Sequence, residues 1–319
     1  MKLAILDDYQ KAALASADWS SLGPEVDISV FDTHLGHDED AVAEALAPFE
    51  ILVAMRERTP FPRSLIERLP KLRLLVTTGM RNLAIDMDAA RERGIPVCGT
   101  GMLPYPAAEH AMALILDLFK KISRENRAMH EGGWQDRISE GLNGKTLGLL
   151  GLGKLGARVA RFGQALEMTI IAWSQNLTEA RCQEVGATLV DKETLLRQSD
   201  VLSIHVVLSD RTRGLIGADE LGLMKPTAYL VNTSRGPVVQ ETALIDALQA
   251  RAIAGAGLDV YDVEPLPADH PLRSLDNAVL TGHTGYVIQE FYDLVYGEAL
   301  EAVAAWRGGA PFRVLNQDG

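Results

Sequence analysis

The sequence predicts an α/β chain built from two doubly wound parallel-sheet domains. Three observations carry this reading. Short apolar runs of strand length alternate with stretches whose apolar residues recur at helical spacing, the pattern of βαβ units. A glycine cluster, Gly151-Leu152-Gly153-Lys154-Leu155-Gly156, stands between one such run and one such stretch. The length, 319 residues, is enough to bury two cores.

In order along the chain, strands are expected at Leu3 to Leu6, Val26 to Phe31, Ile51 to Met55, Leu72 to Val76 and Ile95 to Cys98. Helices are expected between them at Ala41 to Ala47, Pro62 to Leu69 and Ile85 to Arg93. This alternation implies a parallel sheet covered on both faces. One long helix is expected from Pro106 to His130, apolar on more than one side and therefore buried. A loop containing Gly132-Gly133-Trp134 then leads into a second alternating block. Its strands are Thr146 to Leu150, Thr169 to Trp173, Val201 to Ile204, Ala228 to Val231, Ile253 to Leu258 and Ala278 to Leu280. A last helix, Val287 to Trp306, is expected to return to the first domain. The boundaries follow: 1–99 and 285–319 form one domain, and 100–284 form the domain inserted into it.

Composition removes several classes of function. A net charge of −12 leaves no basic face for nucleic acid or an anionic membrane surface. No apolar run reaches membrane-spanning length, and the N-terminal strand turns acidic too early for a signal peptide, so a cytoplasmic protein is expected. Cys98 and Cys182 cannot make a disulfide framework or a metal site. His34, His37, His110, His130 and His270 lack paired ligand spacing and are expected to be packing or solvent-facing residues, with no metal bound.

The glycine cluster has the right setting for a dinucleotide. Thr146 to Leu150 is a buried-strand run, and apolar residues at helical spacing follow from Leu155 to Leu166. Gly151 permits a tight turn, Gly153 close backbone approach to a pyrophosphate, and Gly156 close packing of helix on strand. The anion then sits at the helix N-terminus beside Lys154 and Leu155, where free N–H groups point. An NAD-binding unit usually ends its second strand in an acid that bonds the ribose hydroxyls. Here that strand ends in Ser174-Gln175-Asn176, and the nearest cation, Arg181, stands a helical turn or more away. NAD is the expected cofactor, with NADP left open.

Three later motifs stand at strand ends, where open α/β sheets bind ligands. They are Asn232-Thr233-Ser234-Arg235-Gly236, then Gly257-Leu258-Asp259-Val260 with Glu264-Pro265, then Thr281-Gly282-His283-Thr284-Gly285. Together they supply a fixed cation, a carboxylate and an imidazole. Arg235 can hold a carboxylate and polarise the adjacent carbonyl. His283 can exchange a proton near neutrality, and Glu264 can orient its ring.

These motifs, with Leu223-Met224-Lys225-Pro226 ahead of them, resemble the D-isomer-specific 2-hydroxyacid dehydrogenases along essentially the whole chain. The resemblance implies a Rossmann nucleotide domain inserted into a flavodoxin-like substrate domain. It also implies a catalytic set of Arg235, Glu264 and His283, with Asp259 bonding the nicotinamide carboxamide. Ser174, His205 and Thr233 join the glycine motif as cofactor-side candidates. The segment Val76-Thr77-Thr78-Gly79-Met80-Arg81-Asn82 stands where the family grips a substrate carboxylate through backbone N–H groups. Its usual second glycine and following acid are replaced by Arg81 and Asn82. Gly79, Met80, Arg81 and Arg56 are therefore the substrate-side candidates. The expected reaction is hydride transfer between a nicotinamide cofactor and a small 2-keto or D-2-hydroxy acid, in a homodimer built by the nucleotide domain. The alternative is a nucleotide-sensing scaffold of the corepressor type, since such relatives can retain the triad.

Overall fold

In the computed structural model, residues Met1–Gln317 are described. The chain divides into two compact units, Met1–Leu103 with the segment from Val287 onward, and Pro104–Tyr286. The crossings thus lie a few residues beyond 100 and 285, just before the proline that opens a helix and just after the His283 turn.

The first unit begins β1 (Lys2–Ile5), α1 (Ala13–Ser16), β2 (Asp27–Val30), α2 (Glu39–Leu46), β3 (Ile51–Ala54), α3 (Arg63–Glu67), β4 (Leu74–Thr77), α4 (Met87–Glu92) and β5 (Val97–Gly99). All pairs are parallel, in the order β2-β1-β3-β4-β5, which is the flavodoxin-like arrangement. β3 and β4 are buried at every residue, which explains their unbroken apolar runs, while the edge strand β2 is more exposed. Asp38 and Asp86 cap α2 and α4 through side-chain bonds to backbone N–H groups.

The second unit runs α5 (Pro106–Lys120), α6 (Ile122–His130), β6 (Thr146–Leu150), α7 (Lys154–Ala165), β7 (Thr169–Trp173), α8 (Glu179–Glu184), β8 (Thr188–Leu189), α9 (Lys192–Gln198), β9 (Val201–Ile204), α10 (Ala218–Leu223), β10 (Tyr229–Asn232), α11 (Glu241–Gln249), β11 (Gly255–Leu258) and β12 (Ala278–Leu280). Its parallel sheet has the order β12-β11-β10-β9-β6-β7-β8, the Rossmann order with one further strand. Alternate residues of β6 serve opposite cores. Leu147 and Leu149 pack with Ala108, Leu114 and Val159, whereas Leu150 packs with Leu195 and Leu230. The switch point, where successive connections leave in opposite directions, falls between β6 and β9, whose ends pair at Leu150 and Ile204.

The expected single helix from Pro106 to His130 is two helices. Lys121 adopts a left-handed conformation with φ 56°, its N–H bonding Asp117 O at 2.5 Å. The Asp117 carboxylate then accepts from Ser123 N at 2.7 Å and so satisfies an orphan amide of the next helix. Only α5 is buried; α6 has no buried residue.

The chain closes with α12 (Gln289–Arg307), which packs in the first unit against β4 and α1. Beyond it, the last described residues form an outer edge to β5. Gly99 N donates to Arg313 O at 2.9 Å, Leu315 N to Val97 O at 2.7 Å, and Val97 N to Asn316 Oδ1 at 2.9 Å.

Candidate active site

The glycine loop has the shape a dinucleotide cradle requires. Gly151 has φ +102°, and a Cβ there would meet the His205 backbone at 2.9 Å. A Cβ on Gly156 would press into the carbonyl oxygen of Gly151, so α7 can lie this close to β6 only without one. Gly153 differs: nothing lies within 4 Å of its Cβ position, which leaves open space at the start of α7. Two glycines therefore serve the fold, and the third borders open space. Lys154 and Leu155 open the helix, Lys154 exposed. These residues fit a bound pyrophosphate.

Arg181 belongs to this region although it lies well beyond the motif in sequence. Its Nε donates to the carbonyl of Leu152, inside the glycine loop, at 3.1 Å. Ser174 follows directly on β7 and lines an open hollow of about 600 Å³ with Trp173, Gln175 and Asp191. His205 follows β9, with its Nε2 2.9 Å from Ser203 Oγ. Burial disfavours its charged form and pushes its pKa down to about 4, so it is neutral at physiological pH.

At the end of β10, Asn232 is buried and pins the next turn, accepting from Ser234 N at 3.0 Å and donating to Arg235 O at 2.9 Å. Thr233 lies within that turn. The Arg235 guanidinium donates to Ser234 O at 2.7 Å. At Gly236 a Cβ would run into the Tyr261 backbone, so this turn lies directly against the loop that carries Glu264.

His283 and Glu264 come together. His283 Nδ1 lies 2.6 Å from Glu264 Oε2, while Glu264 Oε1 accepts from Tyr261 N at 2.9 Å. A carboxylate acceptor fixes the proton on Nδ1, so Glu264 sets the tautomer and orientation of the ring. The ring also meets Tyr286 edge-on, with centroids 5.5 Å apart. His283 has φ 54°, a conformation that costs energy for a non-glycine residue and must be held by its surroundings.

Asp259 supplies that hold. It is 1% exposed, and accepts from Thr284 N and Gly285 N, both at 2.8 Å, the two amides that follow the left-handed residue. The Thr281 hydroxyl donates to its Oδ1 at 2.6 Å. Burial raises the Asp259 pKa, but the bonds from His110, Thr281 and the Thr284 amide outweigh it and hold the carboxyl below its ordinary value. His110, expected only to pack or face solvent, stands at this knot with Nε2 2.8 Å from Thr281 Oγ1 and 3.3 Å from Asp259 Oδ1. His270 was read in the same way and is instead paired with Glu241 at 3.0 Å, whose other oxygen accepts from Asp262 N.

In the first unit, the segment after β4 is rigidly built. Gly79 has φ +97°, and the Arg56 guanidinium lies where a Cβ would stand, donating to Thr78 O at 2.9 Å. Gly79 N donates to Thr100 Oγ1. Asn82 is buried and ties the segment to Arg56 O, Thr77 and Ala84. Met80 and Arg81 are exposed.

Comparison with known proteins places this architecture. The family model described as D-isomer specific 2-hydroxyacid dehydrogenase, NAD binding domain, matches residues 112–285. The chain is 39% identical over 265 residues to a glyoxylate reductase of Aeropyrum pernix, covering 80% of this chain and 79% of that one. It is 38% identical over 251 residues to a D-3-phosphoglycerate dehydrogenase of Archaeoglobus fulgidus, covering 78% of this chain but 47% of that relative, so it spans about half that protein's length. Among solved structures, a phosphoglycerate oxidoreductase from Vibrio cholerae matches with a TM-score of 0.92 at 36% identity, over 97% of this chain and 100% of that one. The chain belongs to the D-isomer-specific 2-hydroxyacid dehydrogenases, a family of NAD-dependent oxidoreductases.

Proposed function

We propose that this chain reduces a small 2-keto acid to its D-2-hydroxy acid, or runs the reverse oxidation, with His283 as acid and base. The observation that carries the reading is the 2.6 Å pair between His283 Nδ1 and Glu264 Oε2. Glu264 orients the ring and stabilises it when protonated. In reduction the His283 Nε2 proton passes to the carbonyl oxygen; in oxidation Nε2 takes the hydroxyl proton. Arg235 holds the substrate carboxylate in its planar fork and draws charge onto the reacting oxygen. When bound, the nicotinamide ring supplies or accepts the hydride. Gly151, Gly153, Lys154, Leu155 and Gly156 hold the pyrophosphate, with Ser174, His205, Thr233 and Asp259 along the rest of the cofactor path. On the substrate side the contacts assigned are Gly79, Met80, Arg81 and Arg56.

Related proteins are named for glyoxylate, hydroxypyruvate and 3-phosphoglycerate, so the substrate is sought among small 2-keto acids. We further propose a homodimer formed through the nucleotide unit. Support comes from α6 and the loop after it, which expose Ile122, Met129, Trp134 and Ile138, the last at 90%. Among the described residues no helix is long and apolar enough to cross a membrane.

The test is oxidation of the reduced cofactor against glyoxylate, hydroxypyruvate, pyruvate, phenylpyruvate and branched 2-keto acids. At least one should turn over, and His283→Ala should lower kcat about 10²- to 10⁴-fold. Arg235→Ala should raise KM and lower kcat together. Either variant matching wild type would overturn the assignment. Tight nucleotide binding with no turnover of any acid would favour the sensing scaffold instead.

A further inference from the structure

We propose that the adenosine end of the cofactor site is built for a 2′-phosphorylated dinucleotide, with Arg181 as the phosphate anchor. This rests on the nucleotide-binding reading of the glycine loop.

The ribose attached to adenine reaches the end of the second strand of such a unit, where a carboxylate accepts its two hydroxyls and repels a phosphate. β7 ends at Trp173 and continues as Ser174-Gln175-Asn176-Leu177, with no acid. The carboxylate in the adjoining hollow, Asp191, is already engaged. Its Oδ1 accepts from Thr194 N at 2.7 Å and its Oδ2 from the Thr194 hydroxyl at 2.9 Å, capping α9. It has no reason to turn toward a ribose.

A cation is present instead. In sequence Arg181 follows the end of β7 by more than a helical turn, but α8 folds back so that its Nε bonds the Leu152 carbonyl between Gly151 and Gly153. That bond sets the guanidinium plane beside the glycine loop, with Nε committed to the Leu152 carbonyl and Nη1 to Glu184. Nη1 pairs with Glu184 Oε2 at 2.7 Å, but Glu184 is 63% exposed, and a solvent-facing pair one helical turn apart is weak. A phosphate dianion accepting from both Nη groups displaces it readily. The Ser174 hydroxyl, first after the strand, and the exposed Lys154 at the head of α7 are further donors carried by the elements that border the glycine loop.

The experiment titrates the purified full chain with 2′-phospho-ADP-ribose and with ADP-ribose, two unreactive fragments, by isothermal calorimetry. Wild type should bind the 2′-phosphorylated fragment about ten-fold tighter or better, the value of one charged hydrogen-bond pair. Arg181→Ala should abolish that preference and leave ADP-ribose binding within about two-fold. Ser174→Asp, which restores an acid at the strand end, should reverse the preference toward ADP-ribose. Two results would overturn the proposal: a wild type that prefers ADP-ribose, or an Arg181→Ala variant that weakens both fragments alike, which would make Arg181 only a tie on the glycine loop. If neither fragment binds wild type, the nucleotide-binding reading fails and this proposal with it.

Discussion

The carboxylate of Asp259 shows how much one side chain can determine. Five donors from four residues converge on it, two of them the amides that follow the strained His283. Asp259→Asn replaces one acceptor oxygen with an NH₂ that must face an N–H, at a cost of about 1–3 kcal/mol. We expect lower stability in urea and a reduced kcat, because the imidazole loses its fixed position. The pH dependence follows from the depressed pKa. A carboxyl held below its unfolded value of about 3.9 adds stability above that pH and loses it as pH falls through the folded value. Acid unfolding below about pH 4 should therefore be shallower in the variant, which lacks this group, as measured by circular dichroism against pH. The roles proposed for Arg235, Glu264 and His283 rest on residue type and strand-end position, and the pairing of His283 with Glu264 is the part the structure adds. Those of His110 and Arg181 could not. Their partners, Thr281 and Leu152, lie 171 and 29 residues away, and no local pattern links a helical histidine or arginine to a distant loop.

At the scale of elements, the glycine motif separates into parts with different tasks, and substitution tells them apart. Gly156→Ala drives a methyl into the Gly151 carbonyl, so α7 must lift from β6; we expect a loss of about 1–3 kcal/mol and a lower Tm. Gly153→Ala meets nothing in the protein and should leave Tm within a degree or two of wild type by calorimetry. Its methyl occupies the open space at the head of α7, so nucleotide affinity should fall about ten-fold or more. A Gly153→Ala variant that binds nucleotide normally would show that the pyrophosphate does not lie there. The strands were legible because parallel strands buried on both faces read as continuous apolar runs, and β7, β9 and β12 have the expected limits. The break at Lys121 was not. It depends on the Asp117 carboxylate accepting from the amide of Ser123 six residues on, whereas helical periodicity continues across the junction.

For the whole molecule, two parallel sheets followed from the alternation of strand and helix, and their Rossmann and flavodoxin-like kinds from the family resemblance, whereas the closing edge on β5 has no strand-like sequence to announce it. Cys98 lies within that edge, bridged to Val314, and burial pushes its thiol up to about 11. At pH 8 it should resist alkylation by iodoacetamide, as followed by mass spectrometry, until denaturant frees the C-terminal segment. Labelling of Cys98 at the rate of a free thiol would show that this edge opens readily. The same edge bears on biosynthesis. Strands β1 to β5 leave the ribosome before the inserted unit, yet α12 and the Arg313–Asn316 segment that complete their unit follow it. The inserted unit is finished earlier, by Tyr286. On a translating ribosome the order of folding is therefore the reverse of the order of appearance: the host sheet must wait, partly uncovered, while its guest matures, and it is then the region a chaperone has reason to shelter.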